Sequence, residues 1–335
     1  MSKNTGIIIT MAYPETIVMV AKEWYSPFLR YLGIGKKDYL RAGHAALVLI
    51  EKSRGDLEYH DFGRYITAEP NGRVRGGRYD RELLFPIKAE IVDGVIQNLD
   101  EILSFLSMKP RLTHGDGKLV ASVCDQVNYH EAKNHIEKMQ RNGCIRYAAF
   151  KKKGSNCARF VAATLITSVT NPNIKKDLVK SQWFTPSTVG NVVKSSVSGK
   201  VYEVNSGVIS EFISTVSKEN RRCFLDRLPE HKVNLVGTLE SKKVKGVGEK
   251  AQWLSGIAAG AWFELTNHHS LAENEIRVRR ISSYGNIDVD AVFLLANGFD
   301  ITKNYELIHN SNCLYCTVKQ NEKLYCLSYN RDFLI

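Results

Sequence analysis

Tyr147-Ala148-Ala149-Phe150-Lys151-Lys152-Lys153-Gly154-Ser155-Asn156-Cys157-Ala158-Arg159-Phe160-Val161-Ala162-Ala163-Thr164-Leu165 reads as a strand, a basic turn and a helix that starts at or just after Ser155. Ser or Asn ahead of an apolar run is the chemistry of a helix N-cap, because a short side-chain oxygen satisfies amides that the first turn leaves unpaired. Cys157 then falls in the first turn. The free amides there and the positive end of the helix dipole stabilise a thiolate, and Lys151, Lys152, Lys153 and Arg159 act in the same sense. A nucleophilic cysteine also needs a base, which need not be near it in sequence.

Working back along the chain, Gly43-His44-Ala45-Ala46-Leu47-Val48-Leu49-Ile50 is a continuous apolar strand with one imidazole in it. That imidazole has to be satisfied by a partner, which makes His44 the candidate base. Residues 51–56 turn the chain and residues 57–62 return as the second arm of a hairpin. Side chains alternate along a strand, so Leu57, Tyr59 and Asp61 share one face and Glu58, His60 and Phe62 the other. The apolar face favours Asp61 as the group that orients His44, with His60 as the alternative. The Cys157 amide and Asn156 are candidates for stabilising an oxyanion.

Elsewhere, residues 6–11 read as a buried strand and residues 14–32 as a helix with Ile17, Val20, Trp24 and Phe28 in its apolar stripe. Strands are expected at 83–91 and 119–127, and helices at 93–108, 130–140 and 207–228. The Ser-, Thr- and Lys-rich stretch 171–204, with Pro172 and Pro186, reads as mostly loop. Beyond about residue 235 only short strands are expected, ending in a hairpin turned at Gln320-Asn321-Glu322. A boundary near Gly237 divides the chain into residues 1–236 and 237–335.

Composition sets outer limits. The 335 residues are 44% hydrophobic and 24% charged, which excludes disordered and fibrous classes. The net charge of +11 is uneven. Residues 151–200 carry nine Lys or Arg against Asp177 alone, whereas residues 251–335 carry seven basic and nine acidic side chains. Basicity confined to one segment marks a site or partner surface rather than a general nucleic-acid binder. Seven cysteines without framework spacing predict reduced thiols and a cytoplasmic protein. No apolar window is long enough to span a bilayer, so no membrane partner is expected.

The His44 strand, its hairpin return ending in a polar residue, and Ser-Asn-Cys-Ala-Arg-Phe-Val-Ala-Ala-Thr-Leu opening a later helix resemble the permuted papain-like hydrolases, which include NlpC-type peptidases. In that group the histidine precedes the cysteine in the chain. The resemblance covers roughly residues 5–195 and implies His44 as base, Cys157 as nucleophile and a polar third residue on the strand after the histidine. Asp61-Phe-Gly-Arg-Tyr65 and Gly260-Ala-Trp-Phe263 are also similar to an uncharacterised bacterial domain family, which implies no substrate.

The expected fold is therefore α+β: a permuted papain-like domain, antiparallel sheet packed on the Cys157 helix, followed by a small mostly β domain. The expected function is a cysteine-dependent peptidase, amidase or acyltransferase acting on amide or ester bonds, with no cofactor. The arginine-rich stretch contributes Arg64, Arg73, Arg75 and Arg78 as candidate contacts to an anionic substrate, although a solvated hairpin tip is the commoner use of such a loop. Cys313 and Cys316 lie three apart in a strand-like segment and point to opposite faces, so no metal is expected. A binding module that docks an anionic partner through residues 151–200 is the alternative. Few aromatics interleave those lysines, so nucleic acid is disfavoured.

Overall fold

The computed structural model describes residues 4–333 apart from 22, 37–38, 68–69, 231–240, 242–243, 257–258, 284 and 310. The expected boundary near Gly237 lies outside the described residues. The chain is α+β, with two large antiparallel sheets. The first has nine strands, and its centre is Gly6–Tyr13, flanked by His44–Glu51 and Leu119–Val127.

Gly6–Tyr13 is apolar almost throughout because both faces of the sheet are covered. Ile7, Ile9 and Met11 meet Ile102, Leu103 and Leu106 of the helix Leu99–Ser107. Ile8, with Ala45, Leu47 and Leu49 of the next strand, meets Phe160, Val161 and Leu165 of the helix Cys157–Ser168 and Ile136 of Tyr129–Arg141. A histidine strand at the heart of a three-layer core is thus held by packing on each side. Gly43 aims it: φ is +71° there, and a Cβ would lie 3.1 Å from both Thr188 Oγ1 and Tyr13 O. Only glycine makes that entry without strain.

The second sheet has seven antiparallel strands between Gln252 and Asp332 that curl into a small near-barrel around Phe263, Ile276, Val278 and Phe293. Its last hairpin, Tyr315–Gln320 with Lys323–Asp332, turns on Asn321 and Glu322, which both have positive φ. That is the backbone a two-residue hairpin turn demands. Cys313 and Cys316 are fully buried in this core. Burial pushes their thiols up to about 11 and about 12, the ordinary behaviour of inert core cysteines.

A buried ion network joins the two sheets. Arg73 makes a two-pronged pair with Asp80, with Nη1 donating to Oδ2 at 2.7 Å and Nη2 to Oδ1 at 2.5 Å. From the second sheet Arg280 reaches the same Asp80 at 3.2 Å and Glu82 at 3.3 Å, and Asp288 lies 3.5 Å from its Nε.

Four sequence expectations are corrected. Residues 14–32 are not one helix: Val18–Met19 pairs with Tyr39–Leu40, and only Ser26–Tyr31 is helical, with Pro27 in its first turn. Trp24 and Phe28 are exposed rather than core. The stretch 171–204 is not loop but carries the helices Pro172–Ser181 and Thr188–Ser195, capped by Asn171 and Ser187 side chains. Residues 207–228 split into the strand Val208–Glu211 and the helix Val216–Leu225. Finally, Asn71–Arg75 is a strand, with Arg73 and Arg75 buried, and not a solvated tip. Among the described residues, no helix is long and apolar enough to cross a membrane.

Candidate active site

Cys157 is the first residue of its helix. Asn156 is the N-cap, and its Oδ1 accepts from Arg159 N at 2.9 Å. Capping by Asn156 leaves the first-turn amides of Cys157 and Ala158 without partners inside the helix, facing whatever lies beyond its end. An Asn156→Ala variant is expected to lose about 0.5–2 kcal/mol of stability while Asn156→Asp stays near wild type, which urea unfolding will read.

His44 opens its strand, and the helix start reaches it at the strand's end. Its Nε2 donates to Asp61 Oδ2 at 3.0 Å, and the Cys157 side chain is close enough to the same imidazole to raise its proton affinity. With Nε2 committed to Asp61, Nδ1 is the nitrogen left for sulfur. Asp61 stands on the same face of the sheet, opposite Ala46 two positions beyond His44. His60 takes a different direction, with its Nδ1 3.2 Å from Arg75 O. The structure therefore brings together Cys157, His44 and Asp61, all nearly buried: Cys157 is 7% exposed, His44 6% and Asp61 0%.

Asp61 is held from several sides. Arg75 grips both oxygens, with Nε donating to Oδ1 at 2.9 Å and Nη2 to Oδ2 at 2.6 Å. The hydroxyls of Tyr59 and Tyr65 donate to Oδ2 at 3.1 and 2.9 Å. Burial by itself would raise the Asp61 carboxyl. The Arg75 charge and the His44 hydrogen bond outweigh it and hold the group well below the usual carboxylate range. At His44 burial likewise favours the neutral ring, yet the hydrogen bond it donates to Asp61 and the neighbouring Cys157 side chain prevail and lift it to about 9. His114, whose ring lies 5.0 Å from that of Tyr65, goes the other way: burial first, and Arg75 second, keep it neutral. Two neighbouring histidines are thus driven to opposite protonation states, a pattern typical of acid–base sites.

Sequence reasoning did not single out Tyr59, Tyr65 or Tyr147. Tyr147 is an electrostatic neighbour of Cys157 and lies beneath the Arg64 guanidinium, 4.6 Å from its ring centre. Arg75, expected on a loop as a candidate contact to an anionic substrate, faces Asp61 directly across the strand pair Asp61↔Arg75, so reading 71–75 as a third strand would have found that partner. Of the other arginines, Arg64 donates to Met19 O, Arg73 is committed to Asp80, and Arg78 lies 5.8 Å from the Tyr79 ring centre. Among the described residues, no cluster of three or more His, Cys, Asp or Glu is disposed to hold a metal.

Residues 8–174, which contain His44, Asp61 and Cys157, match the family of type VI secretion system effectors described as TseH-like. Residues 251–330 match the DUF6695 C-terminal domain. A crystal structure of the type VI secretion system effector TseH is 15% identical, with a TM-score of 0.37, over 63% of this chain and 99% of that one. No curated protein matches the chain.

Proposed function

We propose that the chain is a cysteine-dependent hydrolase or acyltransferase of amide or ester bonds, built on a permuted papain-like lobe, with Cys157 as nucleophile, His44 as acid–base and Asp61 as the group that orients it. The observation that carries this reading is the imidazole of His44 lying between the Asp61 carboxylate and the Cys157 thiol at a helix start. The TseH-like match spans all three residues and is consistent with a hydrolase deployed by a type VI secretion system.

In this mechanism the Cys157 thiolate attacks the carbonyl carbon, and the first-turn amides of the helix receive the oxyanion. His44 delivers its Nδ1 proton to the leaving nitrogen or oxygen, and a thioester remains on Cys157. Water, or an acceptor nucleophile in a transferase, then loses a proton to His44 and attacks the thioester, which frees the acid or the acylated acceptor and returns sulfur and proton to the Cys157–His44 pair. Asp61 keeps the Nε2 proton in place throughout. The Arg75 grip makes it an orienting anion rather than a proton acceptor.

The test is labelling by a thiol-directed electrophile, resolved by peptide mass mapping because Cys326, unlike Cys157, is openly exposed. Wild type is expected to carry the adduct on Cys157, and Cys157→Ser to carry none on that peptide. An unlabelled Cys157 in folded wild type, with adduct only on Cys326, would end the assignment.

A further inference from the structure

The expected helix 14–32 places Trp24 and Phe28 in a buried apolar stripe, and the structure turns both outward. Trp24 is 73% exposed and Phe28 60%; Trp24 lies in the turn just ahead of the helix Ser26–Tyr31, four positions before Phe28, with their rings edge to face at 6.3 Å. Trp24 contacts Tyr25 at 6.0 Å, Tyr25 contacts Phe150 at 5.2 Å, and Phe150 contacts Phe184 at 4.9 Å. Phe184 is 75% exposed, and Trp183 beside it is exposed too. Three separate segments thus contribute to one continuous ladder of rings at the surface. Monomeric proteins rarely leave such a patch to water, and where they do it marks a partner.

The ladder is held rigidly. Glu23, itself buried, accepts from Ala149 N at 2.7 Å and from the Tyr25 hydroxyl at 3.3 Å, which ties the Trp24 segment to the Phe150 loop. Arg159 Nη1 donates to Lys151 O at 2.8 Å, which ties that loop to the Cys157 helix. Lys151, Lys152 and Lys153 follow Phe150 and are all exposed. Beside Trp183, Lys180 is exposed as well. Indole and phenyl rings flanked by ammonium groups match a bilayer surface in both its layers: rings enter the headgroup–acyl boundary and lysines meet anionic headgroups.

We propose that the Trp24–Phe28–Phe150–Phe184 ladder with Lys151, Lys152 and Lys153 is a docking surface for an anionic lipid bilayer. It lies on the loop that leads into the Cys157 helix, so a docked bilayer would stand beside that helix start. This is peripheral contact, different in kind from a span, and it holds independently of the chemistry at Cys157.

The test uses the full chain with vesicles of phosphatidylcholine alone and with added phosphatidylserine, read by flotation and by tryptophan emission. Binding is expected to the serine-containing vesicles with a blue shift, weakening as salt rises. Lys151→Gln, Lys152→Gln and Lys153→Gln together are expected to lower affinity for those vesicles on the order of a hundredfold. Trp24→Ser with Phe184→Ser is expected to abolish the blue shift, with circular dichroism confirming that the fold is kept. Three results would overturn the proposal: no flotation of wild type, flotation unchanged in both variants, or a lipid-free dimer that the Trp24→Ser, Phe184→Ser variant dissociates, which would assign the face to a second copy. Should the double-serine variant fail to fold, the lysine variant decides alone.

Discussion

His44→Ala is expected to lower the acylation rate with p-nitrophenyl acetate by about 10²–10⁴-fold, the usual contribution of a positioned acid–base group. Cys157→Ser should fall at least as far, and the double variant no further than the worse single one, because residues that act as a unit do not add. An alanine variant that acylates Cys157 at the wild-type rate would remove His44 from the chemistry. The same residue makes a prediction about stability. Its folded value of about 9 lies above the ordinary histidine value near 6.5 that holds in the unfolded chain. A raised group contributes stability that is complete below the unfolded value and is lost as pH climbs through the folded one. Wild type should therefore become easier to unfold between about pH 6.5 and 9, and His44→Ala should show less of that slope.

Arg75→Met is expected to cost about 3–5 kcal/mol in urea unfolding, because it strands Asp61, 0% exposed, without its main counter-charge. The methionine keeps much of the side-chain volume, so packing loss is a minor part. Adding Asp61→Asn removes the stranded charge and should recover part of the loss, although the double variant will still lack the orienting carboxylate. A cost below about 1 kcal/mol would place the pair in the range of solvent-exposed salt bridges and contradict its burial.

How much of this was legible without coordinates differs from residue to residue. His44 stood out because an imidazole within an otherwise unbroken aliphatic strand carries a desolvation cost that a partner must offset. Cys157 stood out through its cap. Asp61 followed from strand alternation, yet the reason needs refinement: its face packs with Tyr59, Ala46 and Val48, whereas Cys157 clusters with Ala45, Leu47 and Leu49 on the opposite side of the sheet. The groups meet only because His44 begins its strand and Cys157 begins its helix, so each reaches past the sheet's end. Register along a strand was readable, and the way two elements end together in space was not.

Arg73 and Arg75 show the same limit. Two arginines at alternate positions look solvated until the fold sets Asp61 opposite Arg75 and turns Asp80, seven residues on, back to Arg73. The stretch 171–204 was misread for another reason. Its Asn171-Pro172 and Ser187 were counted as loop composition, although a short polar cap followed by proline at the first helical position is a start signal. In the segment 14–32 the spacing of Trp24 and Phe28 suited a buried helical face, but spacing reports which side chains share a face and not what lies against it.

The Asp80–Arg280 contact, which joins residues 200 positions apart, also bears on the order in which the molecule can be completed during synthesis. Arg73 and Asp80 emerge together and close at once. Arg280 is made much later, so the anchor that fastens Asp80 to the second sheet is added only after the first lobe has been translated. Arg73 Nε donates to Tyr65 O, and the Tyr65 hydroxyl donates to Asp61. A nascent chain therefore carries the His44–Asp61–Cys157 cluster with its brace anchored on one side only until Arg280, in the strand Glu275–Ser282, has been made.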